Sequence, residues 1–451
     1  MSKPLTAAAL AALLGALPVA GSASAQQSSQ ATVPSQQGVG DKPAGGAASP
    51  SQSSPLQQQA APAAPWKPPA NFQEWASSIA TTFQVEAGIT GNPQDPNNGI
   101  NFGQLFTDKA NRPLLNQAVL GIARALDPKA TGYDFGFKFS LLYGSDARII
   151  HNLGVFDNLI HDRNQLDVLE ANVQAHTPWL FEGGIDLKAG IYPTPLGFEV
   201  IDPKPNPFYS HSYIFNYGLP FKHLGALATA HATGVLDLYL GIDSGVNTTL
   251  GPSDNNNRPA GIAGFGLNLM GGDLTFLALT HIGPEASDLY TPFGNSALRY
   301  ENDAVLTWKT TPKLTLTAEG NYIRDDGFRA EAWGVAGYAS YKVNDSITVN
   351  GRAEVFRDNN NFFVTVPVNN MDFVRALRGQ PANFYTASAP TTYSEFTVGL
   401  YYTPQGLPKQ ISTLAIRPEL RYDRALNGTH PYNDGRSNGQ FTLAADLILG
   451  F

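Results

Sequence analysis

The chain has 451 residues, 42% hydrophobic and 15% charged, with a formal net charge of −8 and no cysteine. Mild acidity without a basic run excludes an electrostatic case for nucleic acid, and the lack of cysteine excludes a disulfide framework while suiting an exported chain that avoids stray thiols. A mean hydropathy of −0.18 fits a soluble protein and equally a membrane barrel, whose alternating strands are hydropathically quiet.

Residues 1–25 read as a cleaved signal peptide. Lys3 gives a positive start, Leu5 to Ala20 is a short apolar run broken by Gly15 and Pro18, and Ser22 to Ala25 supplies small residues for cleavage before Gln26. The run is too short and interrupted for a spanning helix. Residues 26–70 are rich in Gln, Ser, Ala and Pro with almost no large apolar side chain, the composition of a disordered linker. Asn71 and Glu74 form a capping box for one helical turn around Trp75. Residues 71–451 form the third region, and strand-like sequence dominates it.

Sixteen strands are expected, with cores at 79–90, 113–126, 132–143, 165–177, 185–192, 221–232, 235–244, 260–270, 273–283, 299–310, 313–324, 330–343, 346–357, 393–403, 412–424 and 439–451. In the third, Tyr133, Phe135, Phe137, Phe139, Leu141 and Tyr143 alternate with a set that includes Lys138. In the thirteenth, Ile347, Val349, Ala353 and Val355 alternate with Arg352 and Glu354. In the fifteenth, Leu414, Ile416, Leu420 and Tyr422 alternate with Arg417, Glu419, Arg421 and Asp423. A period of two with charge on one face only defines a strand that is apolar on one side and polar on the other. The last strand places Phe441, Leu443, Leu447, Leu449 and terminal Phe451 on one face. Phe451, Leu449 and Leu447 thus resemble the terminal signal that outer-membrane barrels present to the barrel-assembly machinery.

Connectors after even strands are short: 127–131, 178–184, 233–234, 271–272, 311–312, 344–345 and 404–411. Those after odd strands are long, at 91–112, 144–164, 193–220, 245–259, 284–298, 358–392 and 425–438, with 325–329 the exception. This sorting predicts an all-β fold: a transmembrane antiparallel up-and-down β-barrel of about 16 strands with short periplasmic turns and long external loops. In lipid the sheet must close on itself. Sixteen strands enclose more space than side chains fill, so the inward charges are expected to face water without buried partners. Tyr143, Tyr322, Tyr401, Tyr422 and Phe451 are expected in the interfacial girdle, and Pro418 is expected to force a bulge or strand boundary.

The connector PTPLGFEVIDPKPNPFYSHSYIFNYGLP, residues 193–220, is the third long loop. In it, Glu199, Asp202, Lys204 and His211 are candidates for a constriction, because charge and width select solutes in pores. Tyr209, Tyr213, Phe215 and Tyr217 are expected to pack the loop on the wall, although the same rings could form a stacking slide for sugars. NPFYSHSYIFNYGLPFKH at 206–223, with GYDFGFKFSLLYGSD at 132–146 and GFGLNLMGGDLTFLALTHIGPE at 264–285, resembles the OmpL-like β-barrel porin family of Gram-negative bacteria over most of 75–451. The resemblance implies a passive outer-membrane channel with no defined solute.

A barrel hydrolase is the competing class. Eight histidines occur, without an HExxH helix or a GxSxG elbow. His176 shares a face with Glu170, Asn172 and Gln174; His223 and His231 share a face of one strand but lie too far apart for one metal ion. The reading is a porin and not an enzyme, with no cofactor and no metal ligand set. It passes small hydrophilic solutes by diffusion through a lumen narrowed by 193–220, with a substrate-selective channel, for example for sugars, as the alternative. Expected partners are outer-membrane lipid, the assembly machinery and a homo-oligomer, a trimer by analogy.

Overall fold

The computed structural model describes residues 67–251, 254–289 and 291–451. The signal peptide expected at 1–25 and almost all of the linker expected at 26–70 lie outside the described residues. A short helix, Phe72–Ser77, opens the described chain; the Asn71 side chain accepts from the Glu74 N–H at 2.9 Å, capping the turn as the sequence predicts, while Glu74 Oε2 reaches one residue past the N-cap and accepts from the Ala70 N–H at 2.6 Å.

The strands that follow are β1 (Ala80–Gly91), β2 (Pro113–Arg124), β3 (Asp134–Gly144), β4 (Gln165–Thr177), β5 (Ile185–Pro193), β6 (Lys222–His231), β7 (Leu236–Asp243), β8 (Ala260–Leu269) and β9 (Leu274–Pro284). Next come β10 (Leu298–Lys309), β11 (Leu314–Asp325), β12 (Ala330–Lys342), β13 (Ile347–Asp358), the two-residue β14 (Val366–Pro367) and β15 (Phe384–Tyr385), β16 (Thr391–Tyr402), β17 (Thr413–Ala425) and β18 (Gly439–Gly450). Strands β14 and β15 pair with each other inside the longest loop, around the helix Asp372–Leu377. The other sixteen close a barrel in which every strand is antiparallel to its chain neighbours and β1 pairs with β18. Each matches an expected strand to within two residues at either end. Phe451 extends the closing seam, exchanging backbone hydrogen bonds with Phe83 at 2.8 and 3.3 Å.

Closure satisfies the backbone and leaves the side-chain pattern to sort two solvents. Along β17, Ile416, Leu420 and Tyr422 are exposed on the outside while Arg417, Glu419, Arg421 and Asp423 are buried inside. The register carries that phase from strand to strand: Asp423 lies opposite Glu395, Glu395 opposite Glu354, and Arg352 opposite both Thr397 and Tyr338. The outward rings Tyr143, Tyr322 and Tyr422 sit near the long-loop rim, with Phe451 at the other. Tyr401 departs from the expected girdle. It lies on the inward phase of β16, one residue away from outward Tyr402, and its hydroxyl donates to Lys204 O at 2.9 Å.

Pro418 also departs from expectation. Strand β17 runs through it in unbroken register with β18, and the missing N–H interrupts only the ladder to β16, which skips from Gly399↔Glu419 to Tyr402↔Ile416. The bulges lie elsewhere, at Glu86/Ala87 against β2 and at Ser140/Leu141 against β4. Among the described residues no helix is long and apolar enough to cross a membrane.

Candidate functional site

The lumen contains protein. Residues 194–221 leave β5, cross the interior and return to β6, and Leu196, Phe208, Tyr209, Tyr213 and Ile214 are all buried. Other long loops pack on it: Phe102 and Phe106 from the first, Ile149 and Ile150 from the second, and Tyr432 from the last join one apolar cluster with Tyr213 and Phe215. The inward charges of the barrel therefore do not stand in a wide water column, as strand number alone suggested. They hold the loop.

Wall carboxylates accept the loop's N–H groups. Glu419 accepts from Tyr209 N at 2.9 Å and from Ser210 N at 3.2 Å; Glu354 accepts from Tyr213 N at 2.6 Å and Ile214 N at 2.8 Å; Glu319 accepts from Phe198 N at 2.9 Å. Wall arginines donate to the loop's carbonyls. Arg417 reaches Pro203 O at 2.8 Å and Asn206 O at 3.0 Å, Arg421 reaches His211 O at 2.6 Å, and Arg352 reaches Ser210 O at 2.9 Å. Apart from the π-helical turn Ile214–Gly218 the segment is irregular, so most of its backbone groups have no helix or sheet partner, and charged side chains at fixed strand positions meet that need. Small residues let the loop approach: a Cβ on Gly88 would lie 2.5 Å from Tyr209 Cζ, and one on Gly334 would lie 2.6 Å from Ile214 Cγ1.

The charges also pair among themselves, which a buried ion requires. Arg352 donates to Glu199 Oε1 at 2.7 Å and to Glu395 Oε2 at 3.0 Å. Arg417 bridges Glu86 at 2.8 Å and Asp446 at 2.5 Å, and Arg421 pairs with Asp423 at 2.7 Å. Glu199, the loop's own carboxylate, accepts in addition from Ser212 N at 3.2 Å, from Tyr338 OH at 3.2 Å and sits 2.6 Å from His211 Nδ1. Burial alone would push its pKa up; the Arg352 guanidinium and His211 outweigh burial and hold it down at about 2. The Tyr209 and Tyr213 hydroxyls are driven well above the ordinary phenol range by burial, reinforced by nearby carboxylates.

The sequence-predicted residues fall into two groups. Glu199, His211, Arg352, Glu354, Glu419, Arg421 and Asp423 meet around the middle of the loop, and Arg417 grips its Pro203–Asn206 bend. Lys138, Asp202 and Lys204 instead line a pocket at the short-turn mouth, together with Gln84 and Glu170. Lys138 pairs with Glu170 at 2.6 Å, and Asp202 accepts from Gln84 at 3.1 Å. Sequence reasoning passed over Glu86, Glu319, Glu395 and Asp446, whose inward phase on β1, β11, β16 and β18 the period of two would have shown. The partners on the loop had no such signal.

A closed barrel of sixteen antiparallel strands, apolar outside and bridged inside by its third long loop, is the architecture of an outer-membrane porin. The chain belongs to the family described as "Putative beta-barrel porin-2, OmpL-like", whose model matches residues 78–451. Pseudomonas putida OprB shares the fold at a TM-score of 0.51 and 11% identity over 84% of this chain and 96% of that one. The outer membrane channel DcaP of Acinetobacter baumannii, 11% identical, gives 0.49 over 83% and 97%. The anion-selective porin from Comamonas acidovorans, also 11% identical, gives 0.49 over 83% and 99%. No curated protein matches the sequence.

Proposed function

We propose that the protein is a passive diffusion channel for small hydrophilic solutes, with the pinned segment 193–220 as its constriction and the passage running between that segment and the wall of β1 to β5. One observation carries this reading: wall charges hold the segment's backbone on the β11 to β18 side, while on the β1 to β5 side, where the uncharged Gln84 and Gln117 reach it, a pocket remains at the short-turn mouth whose mixed lining includes Thr82, Gln84, Lys138, Glu170, Asp202 and Lys204 beside Phe83, Val119 and Ile122. Lys138 remains 21% exposed there, and Lys204 offers its ammonium to the same space without a hydrogen bond or ion pair among the described residues. Charge at a narrow polar passage sets solute preference.

The sugar-slide alternative is disfavoured, since Tyr209, Tyr213, Phe215 and Tyr217 are buried against wall and loops and offer no open ring face. A catalytic role is disfavoured in the same way: the inward His176 is engaged with Asp186 at 2.7 Å in the wall. The rest of the reading concerns biogenesis. Residues 1–25 are removed on export, 26–70 serve as a linker, and outward Leu447, Leu449 and Phe451 at the end of the chain engage the assembly machinery before the chain joins a homo-oligomer in outer-membrane lipid.

Purified protein in a planar bilayer tests the function. Stepwise ion current, insensitive to added sugars, is expected. Absence of current from folded protein would overturn the channel, and saturable block by one sugar would replace the general pore with a selective one.

A further inference from the structure

On the wall opposite the mouth pocket, β6, β7, β9 and β10 bring together His223, Asp243, His281 and Glu301, all buried, and Glu285 follows directly after β9. One ligand atom from each of His223, Asp243 and His281 lies within 4.8 Å of the other two. The contacts divide the two imidazoles in the same manner. His281 has one ring nitrogen 3.1 Å from Asp243 Oδ1 and the other 3.2 Å from Glu301 Oε2. His223 has one ring nitrogen 3.5 Å from Asp243 Oδ2 and the other 3.1 Å from Thr194 Oγ1. Each histidine thus turns one nitrogen to a shared carboxylate and the other to an oxygen that can fix its tautomer, which is how metal-ligating histidines are held.

His223 Nδ1, Asp243 Oδ2, His281 Nδ1, Glu285 Oε1 and Glu301 Oε2 are fully buried and make no well-aligned hydrogen bond; their polar neighbours are one another, with His281 Nδ1 3.2 Å from Glu301 Oε2 and His223 Nδ1 3.5 Å from Asp243 Oδ2. Buried groups of this kind are ordinarily satisfied, and unsatisfied ones cluster where a ligand or ion belongs. Three carboxylates face two histidines, and the neighbouring Arg299 is paired with Asp325 at 2.8 Å. A dication would relieve that excess of negative charge.

We propose that His223, Asp243 and His281 form a binding site for a divalent transition cation of the zinc class, with Glu301 and Thr194 orienting the two imidazoles and Glu285 beside His281 adding negative charge. Two imidazoles and one carboxylate suit zinc-like ions better than magnesium or calcium, which take oxygen-only cages. Bonds of about 2.0–2.2 Å place tetrahedral ligand atoms about 3.4 Å apart, so a separation of up to 4.8 Å must close by as much as about 1.4 Å, within reach of side-chain torsions. The ion would fasten β6, onto which the constriction loop returns, to β7 and β9. The sequence could not show this, because His223 and His281 lie 58 positions apart by number and meet only through the register of intervening strands.

Equilibrium dialysis of the chelator-stripped, detergent-folded protein against Zn²⁺ tests it. One ion per chain is expected in the native protein and in the surface control His161→Gln. His223→Gln and His281→Gln should abolish that uptake, and Glu301→Gln should weaken it roughly 10- to 100-fold, the usual effect of losing an orienting partner. Heat-dependent gel mobility confirms that each variant is folded. Co²⁺ in the native protein, which needs no variant, should give visible absorption bands of a nitrogen–oxygen site. Uptake well below one ion per chain, uptake unchanged by the histidine substitutions, or a silent cobalt spectrum would each overturn the site.

Discussion

Arg352→Met is the sharpest probe of how the loop is held. The guanidinium makes contacts that methionine cannot: Glu199 at 2.7 Å, Glu395 at 3.0 and 3.2 Å, Ser210 O at 2.9 Å, Ser210 Oγ at 3.1 Å and Thr397 Oγ1 at 3.3 Å. Methionine keeps much of the stem's packing, so the loss is electrostatic. It strands two buried carboxylates, and breaking a buried pair costs about 3–5 kcal/mol. The barrel ladder is untouched, so the cost falls on loop docking. Local opening at Ser212 to Ile214, whose amides donate to Glu199 and Glu354, should become roughly 10²- to 10⁴-fold more frequent. Hydrogen exchange followed by mass spectrometry on peptides spanning 208–215 reads this directly, and single-channel conductance should rise with it. Adding Glu199→Gln should recover part of the loss, because one stranded charge disappears. Unchanged exchange at Ser212 to Ile214 in a folded Arg352→Met barrel would refute the role given to the arginine.

Acid should loosen the same loop. The folded pKa of Glu199 lies below its usual 4.5, at about 2, so its contribution is fully present above about pH 4.5 and is lost as pH falls toward 2, an effect of about 3 kcal/mol; conductance recorded across that window should increase. Lys204→Gln should move the reversal potential toward cation preference, since the ammonium faces the mouth pocket without a partner among the described residues, and an unchanged potential would remove Lys204 from the passage. On the outer face, Phe396→Arg places a charge mid-strand on β16 where the ring is exposed; a cost of about 2–4 kcal/mol is expected if the position sits at the bilayer midplane, measured as lost folding yield into vesicles.

The barrel was legible because lipid imposes two strict demands, closure of the backbone and alternation of the side chains, and these write a period of two along most strands; in β6 and β9, small or apolar on both faces, the faces could not be told apart from the sequence. The candidate site was half legible. Arg352, Glu354, Arg417, Glu419, Arg421 and Asp423 stood out as charges in mid-strand, but the period reports only which way they point. What they grasp is an aperiodic loop, so the expectation of wet, unpartnered charges gave way to buried pairs and backbone contacts. Tyr401 shows how narrow the margin is: a single residue of phase separates a girdle ring from a lumen hydroxyl. The His223–His281 meeting required the three-dimensional register.

The absence of native cysteine permits a nitroxide scan along β17, one position at a time from Thr413 to Ala425, in reconstituted vesicles. Labels at 416, 420 and 422 should relax with lipid-dissolved oxygen, whereas those at 417, 419 and 421 should be sheltered from it. Uniform accessibility along the strand, or water-borne relaxation agent reaching 416, 420 and 422, would contradict a membrane-spanning barrel whose inward charges hold a loop across the lumen.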